Sequence, residues 1–535
     1  MSERACWIVF IFFLLYASGV PLMAISVLQQ TGSLPPLSNS LFWWLMYPMG
    51  GASNFGPKDE NSDNTEGRNI DLNAPSYLVL AIPFFVAALL VEAFMIHCIL
   101  PPRKQPLHKP RLNDTMTSLS LGVLNLIISL VLFISWTKYC YDFIWDNFRL
   151  TDEFSDSNAN GWWLCLVTHD FLYYVWHRTS HTLSWFWTNH VVHHSSEEYN
   201  LSTALRQPFN DNFCPSFIVG TLPLAFLYPF ELAALHGTFS LLYQYWIHTC
   251  LIPPLPTFEL VFNSPSLHRI HHSRNVRALG KNYAAIFIIW DRIFGTYEPE
   301  IVSNDSTEIY YGVVPPLHTF DPLWANLHHY HHMLFVQWKW TGILTPFSHW
   351  TPVNGKGCPE VGTHKYNSKE KYDPPALSSG FLLYACTQFV FALTMTLFFL
   401  LKGVSSLTDI KIIKDSGLSD WAAEATAGTL IFLAVLWTLH AVGAALDALP
   451  PEEYLTNEVV RHIIFAGFAS TIIVLSDSDN LLAWIFVALY TVTSLFAVFR
   501  LSLMTPIKSD EPLLPENAGD FALKNMRWRS FYKTK

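Results

Sequence analysis

Long apolar stretches alternate with polar connectors along the whole chain, and their lengths predict a helical membrane protein. The stretches at about Tyr77–Leu100 and, near the C-terminus, 380–401, 425–448, 459–476 and 481–500 are each long enough to cross a bilayer as one helix. Cys6–Val27 is also apolar and follows a single arginine, so it is either a first span or a signal peptide. The pattern therefore predicts an all-α, polytopic bundle.

The middle of the chain has shorter apolar stretches, and these predict helices that end near one membrane face. We expect a span at about Ser118–Trp136 and a returning one at Gly161–Trp176. Phe213–Leu227 and Glu231–His248, separated by Pro229, indicate a helical hairpin. Residues 252–376 are too polar and too rich in proline and histidine to span, which predicts a cytosolic cap.

The distribution of charge orients these elements. Arg103, Lys104, Lys109 and Arg111 follow the Tyr77–Leu100 stretch closely, and the positive-inside rule places that connector in the cytoplasm. The span after it then leads to an acidic loop on the other side, and the return brings His177 to the cytoplasmic face. The basic residues of the C-terminal tail indicate the same side: Lys524, Arg527, Arg529, Lys533 and Lys535.

Composition agrees with a membrane protein and adds a domain division. The 535 residues are 51% hydrophobic and only 14% charged, against about 25% charged in soluble proteins. The eight cysteines are scattered without a Cys-x-x-Cys pair, which favours reduced packing residues over disulfides. Nothing indicates nucleic-acid binding. We divide the chain into an N-terminal segment with its loop (1–75), a catalytic membrane domain (76–300), a cytosolic cap segment (301–376), a C-terminal transmembrane bundle (377–505) and a basic tail (506–535).

Histidines carry the candidate chemistry. Eleven of the 22 lie between His169 and His272, and eight of these form three clusters beside apolar segments. Single histidines near a membrane are common surface residues, but two HxxHH triplets and one HxxxH are not expected by chance. We therefore predict a two-metal site whose ligands are His177, His181, His190, His193, His194, His248, His268, His271 and His272.

Helical spacing suggests how nine imidazoles share two ions. Residues three or four apart project from one face of a helix, and the adjacent third histidine of a triplet points about 100° away. One allotment places His177, His190, His193, His268 and His271 on the first ion, and the remaining four on the second. Nitrogen ligands without cysteine suit a pair of iron ions better than structural zinc or blue copper.

Acidic residues near the clusters are candidates for orienting the ligand rings through their second nitrogens. They are Asp170, Glu197, Glu198 and Asp291. The other histidines have weaker patterns. His169 fits packing and function equally well, and His236 has no histidine at metal-ligand spacing. The quartet His328, His329, His331 and His332 fits a surface or entrance helix better than a third metal site.

The histidine clusters resemble those of the fatty acid hydroxylase and sterol desaturase superfamily of membrane di-iron enzymes. Within it, five stretches are similar to the alkylglycerol (glyceryl-ether) monooxygenase family: Tyr173–Arg178, His193–Gln207, Asn263–His272, Trp290–Thr296 and Asp321–Asn326. The similarity covers roughly residues 75 to 500. It implies an enzyme of the endoplasmic reticulum membrane, with its active site on the cytosolic side.

The resemblance also implies a reaction. Such an enzyme hydroxylates the alkyl carbon next to the ether oxygen of a glyceryl ether lipid, including alkylglycerols and lyso-alkylglycerophospholipids, and releases a fatty aldehyde and a glycerol derivative. Two iron ions, O2 as co-substrate and tetrahydrobiopterin are implied, with a pterin-recycling reductase as a possible partner. Animal members carry a glutamate directly after the second histidine of the first cluster, a candidate pterin contact, where this chain has Thr182. No pterin-binding residue is therefore assigned.

Two other functions compete with this interpretation. A sterol or sphingolipid hydroxylase or desaturase fed by cytochrome b5 has the same clusters, and aerobic turnover with and without reduced pterin separates the two. A metal transporter would hold its ligands near the middle of the membrane in broken helices, often with carboxylates, whereas these histidines adjoin segment ends. Metal analysis of the purified protein tests that alternative.

Overall fold

The described part of the chain is almost entirely helical, as the hydrophobic pattern predicts. The computed structural model describes residues 77–100, 110–129, 134–154, 159–210, 216–300, 308–313, 316–347, 371–374, 377, 379–402, 420–447, 456–465, 467, 491–492 and 499. Within these residues, β-type pairing is limited to two isolated bridges, Phe262 with Phe287 and Ser273 with Tyr311. The expected all-α class is confirmed. The stretch Cys6–Val27, most of 459–476 and nearly all of 481–500 lie outside the described residues.

The first half of the described chain contains helices α1 Tyr77–Phe94, α2 Leu112–Ile128, α3 Ile134–Phe148, α4 Ala159–Ser180, α5 Ser184–His194, α6 Leu201–Ala204 and α7 Ser216–Gly220. The second half contains α8 Phe230–Ile247, α9 Pro265–His271, α10 Ile289–Ile293, α11 Pro322–His331, α12 Trp338–Thr341, α13 Ser379–Lys402 and α14 Asp420–Leu446. Wider π-type turns extend α1 through Met95–Ile99 and α11 through His332–Gln337. Tighter 3-10 turns include Leu222–Phe226 and Gly342–Phe347.

Three of the described helices are long and apolar enough to cross a membrane. Their spanning windows are Ala81–Ile99, Ser379–Leu397 and Gly428–Leu446. These windows coincide with the stretches expected at Tyr77–Leu100, 380–401 and 425–448. By length and composition, the chain is a membrane protein anchored by at least these three helices.

The expected span at Ser118–Trp136 stays a prediction, because residues 130–133 lie outside the described residues. Helix α2 is described over Leu112–Ile128 and α3 over Ile134–Phe148, and α2 buries polar side chains such as Asp114 and Ser118 inside the protein. A helix that buries carboxyl and hydroxyl groups among protein partners does not need a continuous apolar surface. Gly161–Trp176 lies within α4, which is not among the three helices that are long and apolar enough to span. That this stretch crosses the membrane therefore stays a prediction.

Two apolar clusters hold the helices together and place α4 and α8 beside each other. One joins α1 and α2 to α13 and α14 through side chains such as Leu124, Phe389 and Leu439. The other joins α3, α4 and α8 around Trp162 and Tyr228. Between the spanning helices, such side chains stabilise the bundle by van der Waals packing, because lipid tails are as apolar as the side chains themselves. Of the predicted hairpin, the second arm forms α8, which follows Pro229 and ends next to His248. The described part of the first arm is the short helix α7 and the 3-10 turn Leu222–Phe226, so the hairpin itself stays a prediction.

Candidate metal centre

The nine predicted ligands come from the C-terminal ends of four helices. His177 lies in the last turn of α4 and His181 directly follows that helix, whereas α5 ends in His190, His193 and His194. His248 follows α8, and α9 contains His268 and His271 and is followed by His272. All nine rings are buried, none with more than 9% of its surface exposed. Four separate segments therefore deliver imidazoles to one interior volume.

The structure sorts these nine rings into two groups that could each hold a metal ion. The first group is His177, His181, His190, His194 and His271, and the second is His193, His248, His268 and His272. Within each group, one nitrogen from every ring lies within 4.8 Å of all the others. All nine histidines are thus brought together, and their role as metal ligands stays a prediction.

The allotment expected from spacing was wrong for four rings. His193 and His268 belong with the second group, and His181 and His194 belong with the first. At 3.6 residues per turn, positions i and i+4 differ by about 40° around the helix and positions i and i+3 by about 60°. Three i, i+4 pairs accordingly stay together: His177 with His181, His190 with His194, and His268 with His272. The i+3 histidine of each triplet, His193 or His271, crosses to the other group.

Hydrogen bonds to backbone carbonyls determine the tautomer of four rings. The Nδ1–H groups of His177, His193, His248 and His271 donate to the carbonyl oxygens of Tyr283 (2.6 Å), Arg206 (3.1 Å), Gln244 (2.7 Å) and Lys281 (2.9 Å). A carbonyl can only accept, so Nδ1 must carry the proton in each ring. In the neutral ring, Nε2 is then an unprotonated lone pair.

In the pair His193 and His248, two such lone pairs face each other, and that arrangement calls for a cation. The Nε2 atoms of His248 and His193 are 3.2 Å apart although both rings donate through Nδ1. The Nε2 atoms of His271 and His194 lie 3.1 Å apart, and those of His177 and His190 lie 2.8 Å apart. Burial lowers the pKa of His193 to about 4 and that of His271 to about 3, so protons do not neutralise the repulsion near pH 7. A metal ion bound by Nε2 relieves it, and the donor set fits the implied metals.

The four carboxylates singled out by sequence do not contact the ligand rings. Asp291 accepts the N–H groups of Tyr283 (2.8 Å) and Ala284 (2.8 Å) and the hydroxyl of Thr296 (2.6 Å). Asp170 accepts N–H groups of Ile286, Phe287 and the Trp290 indole. Asp291 and Asp170 therefore affect the ligand rings indirectly. They bind the loop whose Lys281 and Tyr283 carbonyls accept from His271 and His177.

Glu197 and Glu198 belong to a buried charged cluster at the end of α5. Arg111 pairs with both carboxylates, and Lys371 lies 3.5 Å from Glu198. In the same cluster, Arg206 donates to Asp114 at 3.1 Å, and its own carbonyl accepts from His193. The expectation that these glutamates orient a ring directly was wrong. Their contacts instead attach the segment after α5 to the start of α2.

Sequence reasoning missed the groups that do orient the rings, because most are backbone carbonyls and any residue supplies one. Sequence reasoning also missed Asn282, which shapes the loop that carries two of these carbonyls. It adopts a positive φ of 55°, and its buried side chain donates to Leu267 and Glu298 carbonyls, which shapes the loop between Lys281 and Tyr283. Tyr199 was also missed: its ring stacks on His248 at 5.7 Å and its hydroxyl donates to the carbonyl of Ile247. For Asn282, the available signal was an asparagine within an apolar stretch, because asparagine adopts the left-handed backbone conformation more readily than most residues.

The remaining predicted positions have ordinary structural contacts. His236 packs its ring against Trp162 at 4.7 Å. The Nε2 atom of His169 lies near the backbone of Gly237, also on α8. The hydroxyl of Thr182 donates to the carbonyls of Arg178 and Thr179 at the end of α4. It therefore caps its own helix.

Comparisons with known proteins agree with this centre. The family model described as fatty acid hydroxylase matches residues 162–296, which include all nine histidines. Alkylglycerol monooxygenase from Homo sapiens is 35% identical over 397 residues, which are 73% of this chain and 82% of that protein. Alkylglycerol monooxygenase from Danio rerio is 39% identical over 59% of this chain and 69% of its own length. The Xenopus tropicalis protein of the same name is 36% identical over 60% of this chain and 69% of its own length. No solved structure matches. Extensive similarity on both sides of the histidine clusters shows that the chain belongs to the alkylglycerol monooxygenase family.

Proposed function

We propose that this chain is a membrane monooxygenase that cleaves the O-alkyl bond of glyceryl ether lipids. The observation that carries the proposal is the double histidine group, in which the Nε2 lone pairs of His193 and His248 face each other and favour a cation between them. The names of the relatives indicate the substrate class, and the three apolar helices support a location in the membrane, where lipid substrates are found. The division into domains given above, the cytosolic side of the centre and residence in the endoplasmic reticulum are parts of the same proposal.

We propose two iron ions as the metals, bound by the nine histidines in the two groups described above. Nine nitrogen donors without a thiolate suit iron better than structural zinc or blue copper. Metal ions bound there would supply the activation of O2. The residues around them hold the ligand rings in a fixed tautomer and keep bulk water away, because all nine rings are buried.

The reaction is balanced as a monooxygenation. One atom of O2 is inserted into the C–H bond next to the ether oxygen, and the other leaves as water after taking up two electrons and two protons. We propose tetrahydrobiopterin as the source of the electrons, recycled by a separate reductase. The product is a hemiacetal, which loses its hydroxyl proton while the bond to the glycerol oxygen breaks. The fragments are a fatty aldehyde and a glycerol derivative.

The protein's own part in this chemistry is binding and orientation. The substrate carbon must be held beside the centre, since proximity contributes much of the rate in such reactions. Asp291 and Asp170 keep the Lys281–Tyr283 loop in place, and through it the rings of His271 and His177. No side chain is assigned to the pterin, because the hydroxyl of Thr182 is directed to its own helix.

The test is aerobic turnover of an alkylglycerol by the purified full chain in lipid vesicles, with metal analysis of the same sample. We expect stoichiometric iron and aldehyde release that requires reduced pterin. Oxidation of a sterol or sphingolipid with reduced cytochrome b5, without pterin, would contradict the proposal in favour of the hydroxylase alternative. Metal that exchanges freely with the medium, without turnover, would favour transport.

A further inference from the structure

Residues 332–347, called here the apolar surface segment, have an inverted distribution of polarity. Their inward side chains include Gln337 and Thr345, which are 2% and 1% exposed. The Gln337 carboxamide oxygen accepts from the hydroxyl of Ser184 at 2.6 Å, and the hydroxyls of Thr341 and Thr345 are 2.6 Å apart. Hydrogen-bonded polar side chains therefore recur at Gln337, Thr341 and Thr345, on both sides of the helix end at Gly342.

The outward side chains of the same segment are large and apolar. Those exposed by 47% to 81% are Leu334, Phe335, Trp338, Ile343, Leu344 and Phe347. In a protein surface that meets water, burial of apolar groups is the main driving force, and the opposite distribution is expected. A contiguous apolar surface of this kind indicates a partner that is itself apolar.

The contacts at the start of α11, the helix that leads into the segment, indicate which partner this is. Helix α11 begins against the last turns of the spanning helix α14. His440 of α14 contacts the Asp321 carboxylate at 2.9 Å, and a Cβ on Gly443 would lie 2.6 Å from the Cα of Asp321. The N–H of Phe320 donates to Asp447, which directly follows α14. Since the spanning window ends at Leu446, the chain enters α11 where this helix reaches a membrane boundary.

The segment also has the composition of an interfacial element. Trp338 is half exposed, and tryptophan rings concentrate where the hydrocarbon meets the headgroups. The neighbouring Lys339 is exposed, and a lysine at that depth can extend its ammonium to the headgroups while its methylene stem stays in the apolar layer. Such elements lie in the plane of the interface and do not cross the bilayer.

We propose that residues 332–347 insert their apolar face into the membrane and contact lipid acyl chains directly. The cap is then a membrane-resting structure at this point, whereas sequence alone predicts only a cytosolic position. The segment contacts the start of α5, where the Trp185 ring lies 6.2 Å from that of Phe347 and Ser184 binds Gln337. Helix α5 carries His190, His193 and His194, so the lipid contact adjoins a helix of the candidate metal centre. The proposal does not depend on which reaction that centre performs.

The experiment replaces Phe335, Ile343 and Leu344, one at a time, with a photoreactive benzoylphenylalanine in the full chain reconstituted in phosphatidylcholine vesicles. After illumination, mass spectrometry identifies what each probe has joined. Val91, 61% exposed on the spanning helix α1, is the positive control, and Asp373, with an 86% exposed side chain, is the control in water. We expect acyl-chain adducts at the three test positions at levels comparable with Val91 and at least tenfold above Asp373.

Two results would overturn the proposal. Test positions that give no more lipid adduct than Asp373, in preparations where Val91 reacts, would show that the face meets water. Adducts joining the probe to this chain or to a second copy of it, in place of lipid, would show that protein covers the face. Because the readout is a covalent lipid adduct, it is independent of metal content and turnover.

Discussion

Two regions of this molecule are rich in histidine, yet they have different structures. The candidate metal centre collects nine rings from α4, α5, α8 and α9, and their Nε2 atoms converge. The quartet His328, His329, His331 and His332 lies on α11 and its extension, and it is not among the groups of described residues that could hold a metal ion. The Nδ1–H group of His328 donates to the Ala325 carbonyl of its own helix, whereas His329 contacts Ser184.

The difference teaches that spacing on one helix does not make a metal site. A single helix spreads four near-consecutive residues around its circumference, so their rings cannot surround one ion. Convergence needs several backbone segments, each held in place by other contacts. In the candidate metal centre those contacts are backbone carbonyls on four of the rings.

The largest loss of activity is expected when the imidazole of His193 or His271 is removed. Each of these rings belongs to the ligand group opposite to that of the other two histidines in its own triplet. We expect His271→Ala and His193→Ala each to abolish activity, because an open coordination position weakens the metal pair. Iron content and alkylglycerol turnover are measured on protein expressed at the normal level. Full activity in either variant would remove that residue from the metal set.

A smaller effect is expected one step away from the rings. Asp291→Asn keeps the size of the side chain but replaces one of the two carboxylate oxygens that accept from the Tyr283 and Ala284 N–H groups. Loss of an outer partner typically costs 10–100-fold in metal affinity or activity, and we expect about that loss in iron affinity. Asp373→Asn on an exposed carboxylate is the matched control. Equal iron affinity in both variants would show that the loop holds without Asp291.

The quartet gives the comparison its sharpest contrast. We expect His331→Ala to leave iron content unchanged and to alter stability by no more than about 0.5 kcal/mol, because the ring is partly exposed and packs beside Phe335. Metal analysis and thermal unfolding of the two histidine variants, His331→Ala and His271→Ala, are run in parallel. Iron loss from His331→Ala would mean that the two regions are not distinct.

The smallest effect is expected at Thr182. Its hydroxyl donates only to carbonyls of its own helix, so Thr182→Glu should either leave turnover unchanged or improve the response to reduced pterin. Initial rates at several pterin concentrations measure this. An inactive variant with intact iron would count against both outcomes.

Much of the candidate metal centre could be predicted from the sequence because each cluster lies at the end of an apolar stretch. Membership of the nine-ring set required only the clusters and the hairpin that returns His248 to the same face. The partition into two groups could not be predicted, since it depends on how α5 and α9 face each other. The roles of Asp170 and Asp291 were misassigned for the same reason: a loop lies between them and the rings.

The sequence by itself determined that the chain is helical, lies in a membrane and concentrates histidines where apolar stretches end, because periodicity and hydrophobicity are local properties. Only the tertiary structure decided which rings share an ion and which carbonyls set their tautomers. It also decided that residues 332–347 expose their apolar face. These three features depend on how segments far apart in the chain are placed relative to one another. Tertiary packing determines that placement, and the local sequence pattern carries no information about it.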